Sequence, residues 1–164
     1  MSDIIHIKPL TKEAFAPFGE VLDTDGTPDK LINQGLCGRY HDLANLDFSG
    51  ADARVGISLF KSQKRTLPYS LEMVERHPLG SQAFLPMSQD PFLVIVCPDE
   101  NGKPGHPMAF LTSPGQGINF HRGTWHGVLT PLSEPGQFAV IDRIGDGDNL
   151  EEVWFDTPYV IAKA

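Results

Sequence analysis

Residues 71–87, LEMVERHPLGSQAFLPM, decide how this chain is read. Two runs of strand character, Leu71 to His77 and Gln82 to Met87, meet at a break made by Pro78 and Gly80. Proline cannot donate to a strand ladder, and glycine relaxes the backbone's steric limits, so the pair interrupts the strand and bends it. Alternate side chains on a strand share a face, which sets Glu75 and His77 together and turns Arg76 away. Gln82 lies five residues past His77 and would face the other way on an unbroken strand. The bend resets that parity and lets three polar side chains converge.

Outward from this stretch the same grammar continues. Short runs of β character at Glu20 to Asp23, Arg54 to Phe60, Phe92 to Cys97, Met108 to Thr112, Gly117 to Phe120, Trp125 to Thr130 and Phe138 to Arg143 are separated by turn residues. With 14 prolines and 16 glycines among 164 residues, the composition favours many turns over long helices. Short strands at this spacing predict a mainly β fold, a sandwich or barrel. One short helix is expected after Thr11, whose hydroxyl can cap KEAFAPFG before Pro17 and Gly19 stop it. PDENGKPG, residues 98–105, predicts a hairpin turning at Asn101 and Gly102. No repeat, low-complexity tract or charge block divides residues 1–164, so the chain reads as one domain.

Charge and composition narrow the function classes. Thirteen basic against 21 acidic side chains give a formal charge of -8, which repels phosphate backbones and anionic headgroups and argues against nucleic-acid and membrane partners. MSDIIHIKPL lacks the basic start and apolar core of a secretory signal, and Phe92 to Cys97 is too short to span a bilayer, so a cytoplasmic protein is expected. Cys37 and Cys97 have no CxxC spacing and are expected to be buried small apolar residues.

A second polar segment, GQGINFHRGTWH at 115–126, holds His121 and His126 on either side of a glycine-bearing bend. His126 stands where the chain re-enters an apolar strand and can point into a barrel lumen. Imidazole is suited both to binding a metal and to moving protons near neutral pH.

These two segments resemble the signature motifs of the cupin superfamily, a His-x-His followed by a Glu and later a Pro-x-Gly-x-x-His. By that resemblance Glu75 stands at the first histidine position, His77 at the second, Gln82 at the glutamate, His126 at the last histidine and His121 at the proline. The fold implied is a cupin-like antiparallel β-barrel, a double-stranded β-helix. Its metal set would be Glu75, His77, Gln82 and His126, two of them departures from the usual ligands. Longer strings carry a narrower resemblance. INQGLCGRYHDLA (32–44), ERHPLGSQAFLPM (75–87), GINFHRGTWHGVL (117–129) and FAVIDRIGDGDNLEE (138–152) together resemble the ureidoglycolate lyase family across nearly the whole chain. That resemblance implies a homodimer that splits ureidoglycolate into glyoxylate and urea during allantoin breakdown, and it implies nickel as the associated divalent metal.

Such a reaction requires a base for the carbinol hydroxyl, an acid for the departing nitrogen and a cation for the carboxylate. Glu75, His77, His126 and His121 are the candidate catalytic residues, each proton-transfer group contributing about 10² to 10⁴-fold. Arg39, His41, Gln82 and Arg143 are the candidate substrate contacts, a guanidinium fork being suited to a carboxylate. Asp142 and Arg143 are adjacent on a strand and face opposite sides. Two other readings use the same barrel: a different metal-dependent cupin enzyme, either an oxygenase or an isomerase, and a binding module without catalysis.

Overall fold

A computed structural model describes residues 1–164. In chain order the elements begin with β1 (Ile4–His6), β2 (Lys8–Pro9), the helix α1 (Lys12–Phe15), β3 (Gly19–Leu22) and a hairpin of β4 (Lys30–Ile32) and β5 (Cys37–Arg39). Next come β6 (Arg54–Ser62), β7 (Tyr69–Arg76), β8 (Gln82–Pro86), β9 (Phe92–Cys97), the hairpin β10 (Asp99–Glu100) and β11 (Lys103–Pro104), and β12 (Met108–Leu111). The chain closes with β13 (Gly117–Phe120), β14 (Trp125–His126), β15 (Thr130–Pro131), β16 (Gly136–Ile144) and β17 (Glu151–Ala162).

Two sheets face one another. The larger has the order β1-β17-β7-β14-β9-β12-β2, with β15 also paired to β9, and the smaller has the order β3-β13-β8-β16-β6. Between them lies an aromatic-rich core that includes Phe84, Phe138 and Val140 from the smaller sheet and Phe92, Val94 and Val96 from the larger. A second cluster, with Leu93, Ile95, Cys97, Trp125 and Ile161, covers the far face of the larger sheet. All six residues of β9 are buried because it is covered on both faces, which is why FLVIVC is an unbroken apolar run rather than an alternating one. The result is the expected mainly β, barrel-like architecture with one short helix. Thr11 accepts from Ala14 N at 3.1 Å, and the single turn it starts drives Phe15, fully buried, into the core against Phe18, Phe110 and Phe120.

Asn101 and Gly102 turn the β10–β11 hairpin with φ of 54° and 83°, the positive values a two-residue type I′ turn needs. The run expected from Trp125 to Thr130 is instead two short pieces, β14 and β15. The pairing with β9 slips by one residue between them, from His126 opposite Val96 to Thr130 opposite Leu93, and Thr130 Oγ1 donates to the Val128 carbonyl at 2.7 Å inside the break. Cys97 is buried as expected, and burial pushes its thiol up to about 12. Cys37 departs from the expectation: it is only half-buried, because the β4–β5 hairpin stands off the two sheets.

Candidate active site

The site forms where the two bends meet at one end of the barrel. In register, His126 on β14 sits directly opposite Glu75 on β7 and Val96 on β9. Cross-strand partners share a face, so Glu75, His126 and the core residue Val96 all look toward the smaller sheet. Gly123 N donates to His77 O at 3.0 Å and ties the second bend to the first; with φ of 80°, Gly123 occupies the left-handed region that glycine enters without penalty. Arg76 points to the opposite face, where it pairs with Glu151 at 2.7 Å and Asp99 at 3.1 Å and lies over the Trp125 ring.

His126 is almost fully buried and stacks on Phe120 with ring centroids 4.3 Å apart. Its Nδ1 lies 2.9 Å from the Gly127 carbonyl. A carbonyl only accepts, so Nδ1 carries the hydrogen and Nε2 keeps a free lone pair, buried without a partner. Burial, with the neighbouring His77 adding repulsion, pushes the imidazole down to about 3. At neutral pH His126 is therefore an uncharged acceptor.

The His77 ring is anchored in the same way. Its Nδ1 donates to Asn149 O at 2.9 Å, and its Nε2 lies 3.8 Å from Glu75 Oε2. The His77 and His126 rings are 5.2 Å apart. Burial raises the Glu75 carboxyl above its ordinary value; His77 opposes that shift and Glu152 reinforces it. Asn149 also accepts from Leu79 N through its side chain at 2.8 Å, so one loop residue pins the whole 77–79 bend. Asn149 was not among the candidates from sequence. Its only trace is the turn-forming run GDGDN at 145–149, which says nothing of a partner 72 positions away.

Gln82 enters from the smaller sheet. It pairs in register with Phe120 and Asp142, so it shares the lumen face of the ring that stacks on His126. Gln82 Nε2 donates to Asp142 Oδ2 at 3.1 Å, and Gln82 Oε1 is buried with no partner.

The other candidates lie apart. His121 falls one residue past inward-facing Phe120 and so shares the outer parity of Asn119, where its Nε2 meets Glu20 Oε2 and Asn119 Nδ2 donates to Glu20 Oε1 at 3.1 Å. Strand parity at Asn119-Phe120-His121 therefore separates His121 from the lumen histidines. Arg143 is buried and committed: Nε donates to Ser49 O at 2.7 Å and Nη2 to Asp146 O at 2.6 Å, bracing two loops across Gly50 and Gly80. Arg39 and His41 are exposed on and after β5, with His41 N donating to Asp29 Oδ2 at 2.8 Å. The largest cleft, about 750 Å³ beside Lys64, Arg65, Glu134 and Trp154, includes none of the eight candidate residues, and the chemistry argues for the lumen end over that cleft.

The four expected metal positions do not fit a divalent ion. No three His, Cys, Asp or Glu side chains are grouped closely enough to hold one. Glu75 Oε2 is already turned to His77 Nε2 at 3.8 Å, and Gln82 is a neutral amide bound to a carboxylate. What the arrangement does offer is proton chemistry: a neutral imidazole acceptor beside a carboxyl–imidazole pair able to hold a proton.

A barrel of two facing sheets with histidines, a carboxyl and an amide converging on its lumen defines the class, a cupin-like β-barrel protein. Within that class the chain belongs to the ureidoglycolate lyase family, whose family model, described as ureidoglycolate lyase, matches residues 2–162. A ureidoglycolate lyase of Rhodobacter capsulatus is 60% identical over 96% of this chain and 97% of its own length. One from Chelativorans sp. is 56% identical over 96% and 95%, and a protein of Rhizobium meliloti named ureidoglycolate lyase 2 is 53% identical over 98% of each chain.

Proposed function

We propose that this protein is a ureidoglycolate lyase, releasing urea and glyoxylate, and that it works as a homodimer. The observation that carries the reaction is the geometry at His126: a buried imidazole whose Nδ1 hydrogen is spent on Gly127 and whose Nε2 lone pair, with no partner in the chain, is free to meet the substrate's hydroxyl. That atom takes the proton of the substrate's hydroxyl. As the new carbonyl forms, the bond from carbon to nitrogen breaks, and the leaving nitrogen takes a proton from the Glu75–His77 pair. Burial raises Glu75, which suits the carboxyl to hold that proton before transfer. The proton gained at His126 then returns to the pair, closing the cycle without an added reagent.

The substrate's carboxylate needs a cation. Of the three arginines considered for that contact, Arg143 is committed to two carbonyls and Arg76 to two carboxylates; Arg39, with His41 two residues on, is uncommitted but lies apart from the lumen on the β4–β5 hairpin. For the dimer, the outer face of β6 presents Val55, Ile57 and Leu59 at 50%, 75% and 70% exposure, with Leu85 and Met87 exposed on and after β8 across the intervening β16, an apolar face of the sort that marks a protein interface.

The test is to incubate the protein with ureidoglycolate and follow urea, glyoxylate and ammonia together, with and without prior chelation. The expected outcome is urea and glyoxylate in equal amounts, no ammonia and a rate indifferent to chelation. Ammonia in place of urea would identify an amidohydrolase and overturn the reading. A rate lost on chelation and restored by nickel would return a metal to the site.

A further inference from the structure

Gln82 Oε1 and His126 Nε2 are buried acceptors on the same lumen, and neither has a donor within the chain. His126 has a role in the reaction above; Gln82 does not. We infer that Gln82 Oε1 is the specificity-determining acceptor for the N–H of the substrate's ureido group, and that Asp142 is the positioning residue that aims it. This rests on the reading of the chain as a ureidoglycolate lyase.

Left to itself, a primary amide presents either its oxygen or its nitrogen. The Asp142 carboxylate only accepts, so it draws Gln82 Nε2 to itself at 3.1 Å and leaves Oε1 as the outward atom. Gln82 is 7% exposed, so its bare oxygen forgoes water and is satisfied only by a donor that a ligand brings. A ureido group has such hydrogens, whereas a carboxylate has acceptor oxygens alone. The groups facing this part of the lumen, Gln82 Oε1, His126 Nε2, Glu75 and Asp142, are acceptors or acids. They admit the ureido end and leave the carboxylate toward the barrel mouth. A site built this way discriminates against an otherwise similar hydroxy acid that lacks the N–H, because the buried carbonyl then stays unpaired.

The experiment measures binding of N-carbamoylglycine, which has ureido and carboxylate groups, and of glyoxylate, which has no N–H, by calorimetry. It uses wild type, Asp142→Asn and Gln82→Met, with steady-state kinetics on ureidoglycolate alongside. Asn at 142 no longer dictates which way the Gln82 amide turns, and Met at 82 removes the acceptor while keeping an unbranched side chain. Both variants are expected to weaken N-carbamoylglycine about tenfold, raise KM for ureidoglycolate more than they lower kcat, and leave glyoxylate within twofold. If Asp142→Asn fails to fold, Gln82→Met decides alone. Equal weakening of both ligands, or no weakening of N-carbamoylglycine, overturns the assignment. A wild-type protein that makes no urea overturns the functional reading instead, and the calorimetry still decides the Gln82 assignment because it needs no turnover.

Discussion

At the scale of single residues, His126 shows how burial changes what a side chain can do. In the unfolded chain its imidazole takes a proton below its ordinary value of 6.5; in the fold it resists protonation down to about 3. Between those limits the unfolded state binds more protons, so His126 destabilises the fold progressively as pH falls from 6.5 toward 3, and stops mattering above 6.5. Glu75, raised in the fold, acts with the opposite sign: it favours the fold at low pH and loses that effect as pH rises. Comparing wild type with His126→Gln isolates the histidine. Denaturant unfolding at pH 7 and pH 5 is expected to show a clear loss of stability on acidification in wild type and a smaller one in His126→Gln; equal losses would refute the burial argument. The residues of this site were legible in sequence in proportion to how local their logic is. Glu75 and His77 follow from strand parity, and Gln82 from the bend between them. Asn149 was invisible because it acts on His77 through a backbone carbonyl brought from a distant loop. His121 carried a readable parity signal next to Phe120, one masked by its place in a histidine-bearing motif.

At the scale of elements, the four-residue helix matters through one side chain. Phe15 is fully buried and meets three aromatic rings, so Phe15→Ala is expected to cost about 3–5 kcal/mol, read as a shift in denaturant midpoint without a change in slope. A loss under 1 kcal/mol would show that the helix is not part of the core. The edge strand β6 makes the opposite case, with apolar residues facing out. Ile57→Asp puts a charge in that stripe, and sedimentation is expected to show a dimer for wild type and a monomer for the variant; a persistent dimer would place the interface elsewhere. Most strands were legible because their alternation or apolar runs are strong. β17 was not: EEVWFDTPYVIA mixes acids, a proline and aromatics, and pairs with β7 across a register shift between Trp154 and Tyr159 that breaks the two-residue period. The β4–β5 hairpin was obscured for a related reason, since a pair that stands off the core has no buried face to pattern it.

At the scale of the molecule, two sheets enclose an aromatic core and leave one end to polar side chains, so the same apolar packing that holds the barrel together desolvates His126. Core packing and the lowered pKa of His126 share one cause here: the lumen that buries Phe120 also strips water from the imidazole stacked on it. On the proposed mechanism, cleavage of ureidoglycolate at this lumen depends on His126. That dependence is tested most directly by measuring urea release from ureidoglycolate by wild type and by His126→Ala, at equal concentrations of protein shown to be folded. Steady release is expected from wild type and a loss of about 10² to 10⁴-fold in the variant; a variant rate close to wild type would remove His126 from the reaction.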